Sequence, residues 1–184
     1  MNRFSKCIKL AGITGGENIL DLGCGDMKLK KYLPSNCKYI GIDYNGKGNI
    51  KHNLEKGLPL EIKDGKFDVI FMLEFIEHIE NFKSLLLECR EILSSKGRVI
   101  ISTPHNHRLL ISDFTTKWIG EDKTHIHCFR KSSMLNLAHI CGYKITKMIG
   151  TGIRFPPFTR KYFFVIPTNQ TIYGEGIIYR LEKI

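Results

Sequence analysis

The chain has 184 residues, 42% apolar and 25% charged, a length that suits one domain with a single sizeable core and leaves no room for a separate substrate domain. No run approaches the roughly 18 to 20 apolar residues of a membrane span, and Met1 to Lys6 lead into charged amphipathic sequence rather than an apolar signal core. A formal charge of +10 asks for an anionic partner or merely for solvent, but the lysines are scattered, with neither a long basic run nor the aromatic and basic alternation of a single-strand groove.

In chain order, residues 2–11 can form a short amphipathic helix stopped by Gly12, Gly15 and Gly16. Asn18-Ile19-Leu20-Asp21-Leu22-Gly23-Cys24-Gly25 follows, an apolar strand ending in an acid and two spaced glycines. Such a turn lets a ligand approach bare backbone while the next helix, 28–33, aims free N–H groups at it until Pro34 stops it. A second strand ends at Asp43, eighteen residues past Gly25, the spacing at which a carboxylate meets ribose hydroxyls.

Residues 44–51 are glycine-rich and polar, too short and broken for a crossover helix, so the third strand is expected to be short, around 50–54. The continuous apolar run 67–73 reads as a central strand and 82–93 as a helix; Gly97 opens a strand over 98–102. After a polar insertion come a helix at 132–141, a strand at 143–149 and a last strand near 176–181. This alternation predicts a doubly wound α/β sheet in one domain, 1–184, with insertions around 103–124 and 155–171 as a substrate-side cap.

The ligand of the first turn follows from its charge. A dinucleotide turn needs a third glycine where this chain has Lys28, and Asp21 and Asp26 crowd a site that would have to hold pyrophosphate. A dehydrogenase is therefore disfavoured. S-adenosylmethionine, with a sulfonium, an ammonium and one carboxylate, suits an acidic turn while Asp43 reads its ribose.

At these residues the chain resembles the class I S-adenosylmethionine-dependent methyltransferases. Ile19 to Gly25 is similar to the first motif of that family, Gly41-Ile42-Asp43 to its second-strand acid, Lys66 to His78 to its fourth strand and following loop, and Gly97 to Pro104 to its fifth strand. The family often has glycine where this chain has Met27. The resemblance implies a Rossmann-like methyltransferase fold, a mostly parallel seven-stranded sheet with an antiparallel C-terminal edge hairpin. It also implies a cofactor site built from Asp21, Gly23, Cys24, Gly25, Asp43, Tyr44, Asn53, Leu54, Leu73 and Glu74, with S-adenosylhomocysteine as product. Asn53 would meet the adenine amino group through its amide.

Methyl transfer from a sulfonium depends more on positioning than on proton transfer, but a hydroxyl acceptor benefits from a nearby base. Glu74 and His78, four apart, would share a face on a helical turn; His105 follows strand five, and His125 precedes the covering helix. These four are the catalytic candidates. Two His-x-His pairs, 105/107 and 125/127, raise the question of zinc, but nothing opposes one pair to the other, so no metal is expected.

The six cysteines, at 7, 24, 37, 89, 128 and 141, form no CxxC pair and read as reduced thiols of a cytoplasmic protein. The expected function is methylation of a small-molecule acceptor such as a sugar or lipid-linked metabolite. The aromatic and cationic segment around 154–167 leaves peripheral membrane contact open. RNA methylation and a catalytically silent scaffold of the same fold stand as alternatives, and the oligomeric state is not legible.

Overall fold

Strand β4 (Phe67–Leu73) occupies the middle of the molecule because its side chains are apolar on both faces. Its neighbours are β1 (Asn18–Leu22) on one side and β5 (Leu93–Pro104) on the other, both parallel to it. The computed structural model describes residues 2–104, 124–151, 153–155, 164–166 and 176–184, the two three-residue strands by backbone alone. Strands β2 (Lys38–Asp43) and β3 (Ile50–Lys51) extend the sheet beyond β1, and β6 (Tyr143–Gly150) and β9 (Gly176–Lys183) extend it beyond β5. The order is β3-β2-β1-β4-β5-β9-β6, with β9 antiparallel to both of its neighbours. This is the expected doubly wound, mostly parallel seven-stranded sheet, its reversed strand inserted between β5 and the edge strand β6.

The period of two along β4 divides the core. Val69, Phe71 and Leu73 face α1 (Arg3–Ala11) with Cys7, Leu10 and Ala11, while Ile70 and Met72 face the opposite layer. That layer holds α3 (Phe82–Ile92) through Leu85, Leu86 and Cys89, and α4 (Lys131–Ile140) through Met134 and Leu137. The start of α1 is capped by Asn2, whose side chain accepts from Ser5 N at 2.9 Å. Its end is closed by left-handed Gly12, whose N–H reaches the carbonyls of Ile8 and Lys9. All six cysteines are free thiols.

Several elements differ from expectation. The helix after the first turn is a five-residue 3-10 turn, Lys28–Tyr32, with left-handed Met27 (φ 54°) at its start. β5 is longer than 98–102, starting at Leu93 with an irregular register against Phe67. A short helix, α2 (Leu60–Lys63), stands where no element was expected. β7 (Ile153–Phe155), at the border of the expected 155–171 cap, pairs antiparallel with β8 (Phe164–Ile166) inside it, as a separate ribbon. Most of the 103–124 insertion, and the remainder of 155–171, lie outside the described residues.

The left-handed Met27 carries a backbone cost of about 1–2 kcal/mol that glycine does not, against about 0.5–1 kcal/mol of extra chain entropy for glycine. Met27→Gly is therefore expected to stabilise the fold by about 0.5–1 kcal/mol in urea denaturation. A loss of stability would show that packing of the Met27 side chain outweighs its strain.

Candidate active site

The first turn is tied to the second strand by one carbonyl. Ile42 O accepts from Gly23 N at 2.9 Å and from Cys24 N at 3.1 Å, which holds the turn at the carboxyl edge of the sheet. Gly23 (φ 71°) lies under the Phe75 ring so closely that a Cβ would overlap it. Gly25 (φ 51°) instead has nothing within 4 Å of where its Cβ would stand. A cleft of about 270 Å³ opens here, walled by Arg3, Asp21, Gly23, Cys24, Gly25 and Leu73.

Asp21 is buried at the base of this cleft and accepts from Tyr39 Oη at 2.6 Å. Burial pushes its carboxyl up to about 7; the Tyr39 hydrogen bond opposes this and the Asp43 charge adds to it. Burial, with Asp21 and Asp43 nearby, likewise pushes the Cys24 thiol up to about 12, so it stays protonated. Arg3 escapes sequence reasoning because a lone arginine in the first turn of an amphipathic helix carries no motif. Its Nη1 lies 3.2 Å from Glu74 Oε2, and its Nε is buried without a hydrogen-bonding partner among the described residues.

Asp43 sits behind Gly25, whose N–H donates to its Oδ2 at 2.9 Å. Tyr44, the next residue, is exposed. Asn53 caps the 3-10 turn Leu54–Lys56 by accepting from Glu55 N at 3.0 Å, and Leu54 is buried in the core. The amide oxygen of Asn53 is therefore engaged by the backbone.

Beyond β4 the expected helical face does not form. Glu74 is left-handed (φ 51°), and only Ile76–His78 turn, as a 3-10 element, so Glu74 and His78 part company. Glu74 is held by Arg3 and by Ser102, whose Oγ donates to its Oε1 at 2.8 Å. His78 meets His125, their rings edge-to-face at 4.6 Å, and its Nδ1 lies 3.0 Å from Thr124 Oγ1. Between Glu74 and His78 stands Glu77, missed in the sequence because nothing local marks it as buried. It is 1% exposed, and neither carboxylate oxygen has a hydrogen-bonding partner among the described residues. Burial pushes it up to about 7; the Glu74 charge adds to this, while its own backbone N–H, the nearby Thr103 hydroxyl and the Arg3 charge oppose it. One ligand atom from each of Glu77, His78 and His125 fits within a 4.8 Å span. His105 and His107 lie outside the described residues.

A family model described as a methyltransferase domain matches residues 3–148. The chain belongs to the class I S-adenosylmethionine-dependent methyltransferases. Among curated relatives, the ubiquinone biosynthesis O-methyltransferase of Nitrosococcus oceani is 28% identical, over 86% of this chain and 77% of its own length. That of Acinetobacter baumannii is 23% identical, over 83% and 73%. Among solved structures, a SAM-dependent methyltransferase from Thermotoga maritima superposes with TM-score 0.70 at 16% identity, covering 98% of this chain and 88% of that one. One from Archaeoglobus fulgidus gives 0.69 at 15%, covering 97% and 92%.

This methyltransferase uses S-adenosylmethionine, and the cleft suits that molecule. The acid Asp21 matches its positive charges, the unpartnered Nε of Arg3 matches its carboxylate, and the bare side of Gly25 leaves room for its body. Among the described residues, no helix is long and apolar enough to cross a membrane.

The two buried acids set a pH dependence. Unfolded, the Asp21 carboxyl loses its proton near 3.8; folded, it keeps it to about 7, so the folded chain binds more protons between those values and loses stability as pH rises through them. Glu77 acts in the same direction. Asp21→Asn should flatten this decline, retaining more of its stability on going from pH 5 to pH 8 than the parent does. Equal losses of unfolding free energy from pH 5 to pH 8 in the variant and the parent, read from denaturant titrations, would refute the buried-charge account.

Proposed function

We propose that this methyltransferase acts on a hydroxyl oxygen of a small molecule, such as a sugar or a lipid-linked metabolite, as a single cytoplasmic domain. The observation that carries this reading is the unpartnered buried carboxylate of Glu77 beside His78 and His125, close enough to the cofactor cleft to feel Arg3 and Glu74. The names of the curated relatives, O-methyltransferases, support an oxygen acceptor.

The cofactor supplies its methyl group on a sulfonium. Asp21, once ionised, would neutralise the donor's positive charge, Arg3 would take its carboxylate, and the backbone of Gly23, Cys24 and Gly25 would support it. Asp43 would receive the ribose hydroxyls; Tyr44, Leu73 and Glu74 would flank the ligand, and Asn53 and Leu54 would line the adenine end. When bound, S-adenosylmethionine would supply the methyl group to the acceptor oxygen and would remain as S-adenosylhomocysteine. The hydroxyl proton passes to a base in the cluster of Glu77, His78 and His125, with His105 a further candidate for the acceptor side.

Calorimetry with S-adenosylhomocysteine tests the donor half: Asp43→Ala should lose at least about tenfold in affinity while keeping the fold, the loss of a charged hydrogen bond being worth about 1.5–3 kcal/mol. Glu77→Gln should leave that affinity in place and lower kcat by about 10²- to 10⁴-fold with a hydroxyl acceptor. No binding by folded wild-type protein would end the reading. Steeply salt-dependent affinity for RNA would favour a nucleic-acid acceptor instead.

A second reading has a divalent cation held by the same cluster. Donors about 2.0–2.2 Å from one tetrahedral ion lie about 3.3–3.6 Å apart, so the 4.8 Å span would have to close by about an ångström around the cation. The expectation of no metal weighed the two His-x-His pairs against each other; here His125 joins Glu77 and His78 instead. Activity lost on chelation and restored by added Mg²⁺, Mn²⁺ or Zn²⁺ would favour the cation, and activity indifferent to chelation would leave the base alone.

A further inference from the structure

The glycine-rich loop 44–48 stands where a crossover helix would separate β2 from β3, and it folds back onto the glycine turn. Asp43 Oδ1 accepts from Asn45 N at 2.9 Å and from Gly46 N at 2.6 Å, while Oδ2 accepts from Gly25 N at 2.9 Å. Lys47 N donates to Gly25 O at 2.9 Å, and the Asn49 side chain accepts from Gly41 N at 2.9 Å, closing the loop at both ends. The fit is tight: a Cβ on Gly46 would stand 2.5 Å from Gly25 O and 2.8 Å from Asp43 Cγ.

A carboxylate has about four lone-pair sites, and three of those on Asp43 are filled by the chain's own amides. A ribose brings two hydroxyls to a carboxylate that has one acceptor site left. We infer that the loop is an internal competitor of the cofactor: the Asn45 and Gly46 amides hold Asp43 in a closed state, and the loop must release it before the ribose of S-adenosylmethionine binds. This rests on the reading that Asp43 receives the ribose.

The closed loop lowers apparent affinity by the fraction of molecules that are open, so a loop open in about a tenth of molecules weakens binding about tenfold. Gly46 has no positive φ, so alanine suits its backbone, and the added methyl acts on the closed contacts with Gly25 and Asp43. Gly46→Ala is therefore expected to bind S-adenosylhomocysteine more tightly, by up to about tenfold, with a faster association rate.

In the wild type, the Gly46 amide should exchange with solvent faster once S-adenosylhomocysteine is bound, while the amides of β1 and β2 exchange more slowly. Weaker or unchanged binding by Gly46→Ala, or a Gly46 amide more protected in the complex, overturns the competitor and leaves the loop an ordinary wall of the site. Asp43→Ala, titrated alongside, separates the two ideas: unchanged affinity there removes the ribose reading itself, whatever Gly46→Ala does.

Discussion

One carbonyl organises the cofactor end of this protein. By accepting from both Gly23 and Cys24, Ile42 O converts the parallel pairing of β1 with β2 into a fixed turn, and every other feature of the cleft is measured from that turn. It brings Gly25 within reach of Asp43 and sets Gly23 beneath Phe75, so the strand-four corner and the first turn become one wall. Parallel strands supply the geometry: their carboxyl ends converge at one edge, so acids far apart in sequence are delivered to a common crevice.

In and behind that crevice stand two acids whose charge is costly to bury. Asp21 and Glu77 both lie out of water near other carboxylates, and both hold protons toward neutrality as a result. Arg3 lines the donor cleft beside Asp21 and pairs with Glu74. α1 is therefore more than a cover for the sheet, since it brings the cation that pairs with Glu74 and whose charge reaches Glu77. The same helix sends Lys6 to the carbonyls of Gly150 and Thr151, fastening it to the far side of the sheet as well.

Much of the fold was legible because its signals are local. The apolar runs that became β1, β2 and β4 needed no tertiary context, and the glycines at 12, 15 and 16 ended α1 where expected. The missing crossover helix between β2 and β3 was likewise visible as a polar, glycine-rich stretch. What failed depends on neighbours. The helical face of Glu74 and His78 dissolves because Glu74 takes a left-handed conformation while Ser102 holds its amide and carboxylate. Arg3 and Glu77 acquire their meaning only from burial, which a single sequence does not display, and the pairing of β7 with β8 is set across a stretch without local periodicity.

The place of β9 bears on how the chain is made. Its residues, 176–183, lie between β5 and β6, so the last stretch of the described chain bridges strands formed about eighty and about thirty residues earlier. A nascent or truncated polypeptide lacking it presents two unzipped borders, carrying Val99, Ile100 and Ile101 on one and Ile145 and Ile149 on the other. Such borders recruit strands from other molecules. The sheet thus becomes continuous only once this late strand has been made and docked, and until that step the partly made forms are the ones most prone to clump.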